Sequence, residues 1–141
     1  MWDECVKEVM GEHMNPTRTI IKKRSGNREP AFEIKEADVL NAVLRWLALH
    51  RIPHWRVNSG GLKDSHNRLV RFGAKGMSDI HAIGPSPDGK AIWIECKRPR
   101  GGVVSAAQKE FLDCINRHGG IGIVVNSIES LEQQLKEAGV I

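Results

Sequence analysis

The fold turns on residues 76–97. Gly76-Met77-Ser78-Asp79-Ile80-His81-Ala82-Ile83 leads into the turn Gly84-Pro85-Ser86-Pro87-Asp88-Gly89, and Ala91-Ile92-Trp93-Ile94-Glu95-Cys96-Lys97 follows. Pro and Gly at that density mark a connection, and the apolar runs on either side of it read as antiparallel strands. Alternation in the second run puts Ile92, Ile94 and Cys96 on a core face and Trp93, Glu95 and Lys97 on the other. Folding the runs about the turn sets Asp79 opposite Ile94 or Glu95, so in either register the two carboxylates approach directly or diagonally. Carboxylates pressed together repel unless a cation lies between them, and hard oxygen ligands suit Mg²⁺ or Mn²⁺. Lys97, beside Glu95, carries the charge needed to orient water or offset a phosphate. A solvated Glu–Lys ladder accounts for the same residues without any chemistry.

Downstream, Ser105-Ala106-Ala107-Gln108 spells a capping box, and Ala107, Phe111, Leu112 and Ile115 give the helix that follows a buried face ended by Gly119-Gly120. Ile121–Asn126 reads as a buried strand, and Ser127 caps a last helix through Leu131, Leu135 and Ala138. Strand, crossover helix and strand form a unit with parallel strands. Upstream, a helix from about Ile34 to His50 ends before Pro53, with a stripe of Val39, Leu40, Val43, Leu44 and Leu47. Glu36 falls on that inward stripe, although a first-turn acid also suits the helix dipole. Residues 54–58 and 68–72 alternate as short strands, so the pieces from 54 to 97 read as an antiparallel meander. The expected order is α-β-β-β-α-β-α, with one short extra strand possible early. Residues 1–31 form an N-terminal helix (Trp2, Val6, Val9 and Met10 at helical spacing) and a basic linker; residues 32–141 form the compact domain.

The chain has 141 residues, 21 basic and 17 acidic, which suits one soluble domain. Its longest apolar runs fall far below membrane-spanning length, and the start lacks a signal-peptide layout. Three cysteines with no C-x-x-C spacing point to reduced thiols inside a cell rather than to disulfides or a zinc ribbon. The charge comes in blocks: net −3 over residues 1–14, +4 over 15–35, +6 over 45–75 and +3 over 97–100. Basic blocks of this kind face either a phosphate backbone or plain solvent. His50, His54, His66 and His81 share no metal-binding spacing, and His81 reads as a solvent-facing side chain.

Gly76-Met77-Ser78-Asp79-Ile80, with Asp79 sixteen residues before Glu95 in Glu95-Cys96-Lys97, resembles the PD-(D/E)XK nuclease motif. More narrowly, the pattern is similar to the VRR-NUC (virus-type replication-repair nuclease) branch, and Gln108, Arg56-Val57-Asn58-Ser59-Gly60 and Val70-Arg71-Phe72-Gly73 fit it as well. The resemblance covers residues 34–135 and implies an α/β restriction-endonuclease-like core, a mixed sheet flanked by helices. It implies a metal site of Glu36, Asp79, Glu95 and the Cys96 backbone carbonyl, holding Mg²⁺ or Mn²⁺, with Asp79, Glu95, Lys97 and Gln108 as the catalytic set. Cys96 departs from the usual aliphatic residue at its position; facing the core, it should act as a small hydrophobe. Arg56, Asn58, Lys63, Arg68, Arg71, Lys75, Arg98 and Arg100 are the expected nucleic-acid contacts, to the backbone rather than to bases. The implied protein is a structure-selective DNA endonuclease of replication and repair, with Holliday junctions among its substrates. It would act as a homodimer with no membrane partner, in the cytoplasm of a bacterial or phage-infected cell. A non-catalytic DNA-binding module that kept the fold, and an enzyme acting on RNA, fit the same residues.

Overall fold

The computed structural model describes residues 33–58 and 60–141; the expected N-terminal helix and basic linker lie outside the described residues. Among the described residues three helices and six strands follow in the order α1 (Glu36–Leu49), β1 (His54–Arg56), β2 (Gly60–Lys63), β3 (Leu69–Phe72), β4 (Ile80–Ile83), β5 (Ala91–Cys96), α2 (Ala106–Arg117), β6 (Ile121–Val125) and α3 (Ile128–Glu137). The protein is a mixed α/β fold: a four-stranded sheet, ordered β1-β4-β5-β6, lies between helices. β1, β4 and β5 run antiparallel, and β6 runs parallel to β5, as the crossover through α2 requires.

The expected meander is corrected. β1 does not pair with the strand that follows it; it pairs with β4, Arg56 opposite Ile80. β2 and β3 form a separate two-stranded hairpin, Gly60 opposite Phe72 and Lys63 opposite Leu69. All their residues are exposed, so they contribute nothing to the core. The first strand also stops at Arg56 rather than Asn58, and there are two extra strands, not one.

Ile80, Ala82, Ile92, Ile94, Cys96, Ile121, Ile123 and Val125 make one buried sheet face, covered by Val39, Leu40, Val43, Trp46 and Leu47 of α1 and Leu131 and Leu135 of α3. Trp46, outside the expected stripe, donates from Nε1 to Glu132 Oε1 at 2.9 Å and ties α1 to α3. His50 stacks on Trp46 where α1 ends, and its Nδ1 lies 2.8 Å from the Trp46 carbonyl. The opposite face of the sheet packs against α2. Asn116 of α2 receives the Gly122 N–H at 2.7 Å and returns a bond to its carbonyl at 3.0 Å, while Gln134 donates to the Val124 carbonyl at 2.8 Å. These side chains satisfy backbone groups of the edge strand β6 that β5 does not reach. Among the described residues no helix is long and apolar enough to cross a membrane.

Gly122 sets the spacing between α2 and the sheet. A Cβ there would stand 2.8 Å from the Leu112 carbonyl oxygen and 3.1 Å from its Cα. Gly122→Ala should therefore cost about 2 kcal/mol of unfolding free energy as overpacking, read by denaturant titration; an unchanged midpoint would mean that α2 does not rest on this strand.

Candidate active site

β5 ends at Cys96, and after Lys97 and Arg98 the backbone enters a turn over residues 99–101. Because Ile80 pairs with Ile94, the register carried one step further sets Asp79 across from Glu95. Asp79 Oδ2 accepts the Cys96 N–H at 2.9 Å, and the Asp79 carbonyl accepts the Val57 N–H at 2.7 Å. The aspartate thus clamps the end of β5 to β4, while the start of the hairpin excursion is held to its backbone. An N–H and C=O of one residue leave a strand on the same edge, so the Cys96 carbonyl is directed toward Asp79. The Cys96 side chain is fully buried in the core, where burial pushes its thiol far above the ordinary range, in keeping with the small hydrophobe expected.

Glu95 and Lys97 lie on the face beneath α2 and are not the solvated pair that alternation alone permits. Glu95 is 1% exposed and Lys97 9%. Lys97 Nζ donates to Glu95 Oε1 at 2.5 Å, and Gln108 Nε2 donates to the same oxygen. The Gln108 side-chain oxygen accepts the Ser105 N–H at 2.9 Å, and Ser105 Oγ accepts the Gln108 N–H at 3.2 Å. One side chain therefore closes the capping box of α2 and holds Glu95. Gly76 (φ 79°) presses on the same helix start; a Cβ on it would fall 2.2 Å from the Ala107 carbonyl oxygen. The missing side chain is what lets this turn approach the α2 backbone.

Glu36, the first residue of α1, reaches in from the opposite layer. Its Oε2 lies 3.8 Å from Lys97 Nζ, yet its side chain is half exposed. It stands at the mouth of the site rather than on a buried stripe. Among the described residues no three His, Cys, Asp or Glu side chains stand close enough, as they are, to ligate one ion. The Lys97 ammonium instead occupies Glu95 Oε1, while Glu95 Oε2 is buried without a hydrogen-bond partner. Burial drives the Glu95 carboxyl above the ordinary glutamate range, and Asp79 and Glu36 add to this against the pull of Lys97. Burial opposes the Lys97 charge, but its bond to Glu95 and the three acids around it outweigh that and hold the ammonium above its ordinary pKa.

His81 is corrected from a solvent-facing residue to the centre of an aromatic row. It stacks on Trp93 (centroids 4.3 Å apart), meets Trp55 edge-on at 4.7 Å, and Trp93 meets Phe111 of α2 edge-on at 5.1 Å. Burial lowers its pKa. The signal for this row was present in the sequence: Trp93 precedes Glu95 by two and shares its face, His81 follows Asp79 by two and shares its face, and the short turn between the runs sets the two faces side by side.

The expected nucleic-acid contacts divide. Arg56, Asn58 and Lys75 are exposed; Arg56 pairs with Ile80, next to Asp79, and Asn58 follows Val57, whose N–H the Asp79 carbonyl accepts. Arg98 donates to the Gly101 carbonyl at 3.2 Å, shaping the turn that exposes Arg100. Lys63, Arg68 and Arg71 belong to the separate hairpin, so they are not part of the sheet as the meander required. Arg68 is paired with Asp64 at 2.8 Å.

Removing the ammonium leaves three carboxylates uncompensated. Lys97→Met should destabilise the protein by about 3 kcal/mol at pH 7, as breaking a buried ion pair does. A raised carboxyl pKa means stability that is present below the ordinary glutamate value of 4.5 and lost as pH rises through the folded value. Without Lys97 that rise steepens, so the deficit should be small near pH 4 and fully developed at neutrality. Calorimetry across that range checks it; a pH-independent deficit would assign Lys97 a packing role alone. Comparison of the chain with family models, with curated proteins and with solved structures returns no match.

Proposed function

We propose that the chain is a divalent-metal-dependent, structure-selective DNA endonuclease with a PD-(D/E)XK-like core. The observation that carries this is the convergence of Glu36, Asp79, Glu95, Lys97 and Gln108 from four separate elements on one end of the sheet, around a buried carboxylate oxygen with no partner. With the β2–β3 hairpin set aside, the order α-β-β-β-α-β-α also agrees with the core that the VRR-NUC resemblance implies.

The donor chemistry fits a hard cation. Three carboxylates act on one another here, and an orphaned buried carboxylate oxygen among them is what an ion such as Mg²⁺ or Mn²⁺ satisfies. Glu36, Asp79, Glu95 and the Cys96 carbonyl would hold it. When bound, the ion supplies Lewis-acid stabilisation of charge on the phosphodiester and lowers the pKa of water. The remaining work falls to the chain. Gln108 fixes one Glu95 oxygen so that the other keeps its direction. Lys97, held protonated by its acidic surroundings, is placed to align the attacking water and offset charge gathering on the phosphorus. Arg56, Asn58, Lys75, Arg98 and Arg100 provide a polar and basic rim for the strand being cut.

Labelled four-way junctions, forks, flaps, single strands and RNA should be incubated with wild type, Lys97→Met and Glu95→Gln, in Mg²⁺ and in EDTA. Branched DNA should be cut only with Mg²⁺, and each substitution should lower the rate by at least about 100-fold. Equal cutting by wild type and both variants would remove the assignment; tight DNA binding with no scission by any of them would favour a non-catalytic module. A second readout needs no turnover. Because Lys97 competes for Glu95, Lys97→Met should gain more thermal stability from millimolar Mg²⁺ than wild type gains, by mass action on the folded state. No gain in either protein would mean that these acids do not form a cation site.

A further inference from the structure

The β2–β3 hairpin is anchored to the candidate site at both ends. It leaves β1 through Val57, whose N–H is held by the Asp79 carbonyl, and returns through the Gly73–Gly76 turn packed on the start of α2. A two-stranded hairpin by itself is marginal in water, but this one is braced at its turn. Asp64 Oδ1 accepts the His66 and Arg68 N–H groups at 2.9 Å each, Oδ2 accepts Arg68 Nε at 2.8 Å, and Asn67 takes the left-handed conformation (φ 61°). At its base, the Phe72 ring lies over Gly60.

Cross-strand register sorts its side chains. Leu62, Val70 and Phe72 share one face; Lys63 and Arg71 lie on the other with Leu69. The apolar face is open to solvent, Leu62 being 69% exposed and Val70 53%. Residues 60–75 carry Lys63, Arg68, Arg71 and Lys75 against Asp64 alone, and that acid is already paired with Arg68. A second copy docked here about a two-fold axis would bring this positive charge against itself, whereas a polyanion would neutralise it. An apolar face cannot rest on phosphates, because it would strip their water without replacing it. It can rest on the flat face of a base pair, which an unbroken duplex hides in its stack and a branch point exposes.

Resting on the nuclease assignment above, we propose that this hairpin recognises the branch in DNA. Its Leu62–Val70–Phe72 face covers the base pair exposed where a duplex arm ends, while Lys63, Arg71 and Lys75 take the phosphates of the adjoining strands. The scissile bond is thereby set a fixed distance from the branch, since both stems of the hairpin are tied to Asp79 and the start of α2.

The test uses the full-length protein with a labelled four-way junction and a continuous duplex of the same sequence, titrated in EDTA over a range of salt. Leu62→Thr/Val70→Thr keeps strand-forming residues and removes the apolar face; Lys63→Gln/Arg71→Gln removes two charges. The first pair should lower the preference for junction over duplex by about tenfold and leave the salt dependence unchanged. The second should weaken both DNAs and reduce the slope of log affinity against log salt by about 2. A junction preference that is absent in wild type, or unchanged in Leu62→Thr/Val70→Thr, would overturn the proposal. So would a fall in mass from dimer to monomer in that variant, which would make the face a contact between copies. A drop of more than about 5 °C in its melting temperature would also overturn it, because the face would then be covered by the chain's own residues. Junctions cut by wild type, with a preference indifferent to the hairpin, would sink this inference and keep the nuclease; hairpin-dependent junction binding without cleavage in Mg²⁺ would do the reverse.

Discussion

A glutamate that is 1% exposed in the middle of a protein has lost the hydration that normally makes its charge tolerable. Glu95 is in that position, and much of the architecture around it answers this loss. β5 carries it near that strand's own carboxyl end, α2 covers it and contributes Gln108, and the chain two residues on contributes an ammonium. Only one of its oxygens is satisfied in this way. An aliphatic residue there would cost less, so a costly, half-satisfied charge at this position is the physical ground for the proposal that this end of the sheet does chemistry.

The elements around it share the task. α1 and α3 build the core on one face of the sheet, with the Trp46–Glu132 bond between them, and leave the other face to α2. The division matters because a single helix, seated through two glycines, sets the height of the roof over Glu95. Gly122 fixes the middle of α2 against β6, and Gly76 fixes its start against the turn that delivers Asp79. The aromatic row of Trp55, His81, Trp93 and Phe111 fills the rest of the space on that side.

What could be read from the sequence follows from the range over which each signal acts. Local signals held: the Ser105–Gln108 cap, the helix stop near His50, and the alternation that put Cys96 in the core and Glu95 opposite it. Asp79 facing Glu95 followed from counting across a short turn. The pairing of β1 with β4 was not legible, because alternation marks a strand without naming its partner, and the intervening hairpin has the same two-residue period. Nor could the pattern show that α2 lies on the Trp93–Glu95–Lys97 face. Polar residues at alternate positions look alike whether water or a helix covers them, so His81 read as a surface residue. The inward stripe puts Glu36 deeper than its half-exposed side chain lies, since helical phase gives a direction and not a depth.

Gln108 shows how a site can narrow a rule that is otherwise permissive. A capping box accepts glutamate or glutamine at its third position, because only an acceptor oxygen is needed to receive the backbone N–H. Here the oxygen of the amide is spent on Ser105 and its nitrogen on Glu95, so each end of the group has a partner that the other end could not serve. A glutamate would cap α2 equally well and would then turn a second negative oxygen toward a buried carboxylate. The orientation of this amide is therefore fixed from both sides, and a position that looks interchangeable by helix chemistry is reduced to one residue by its neighbour on the strand beneath.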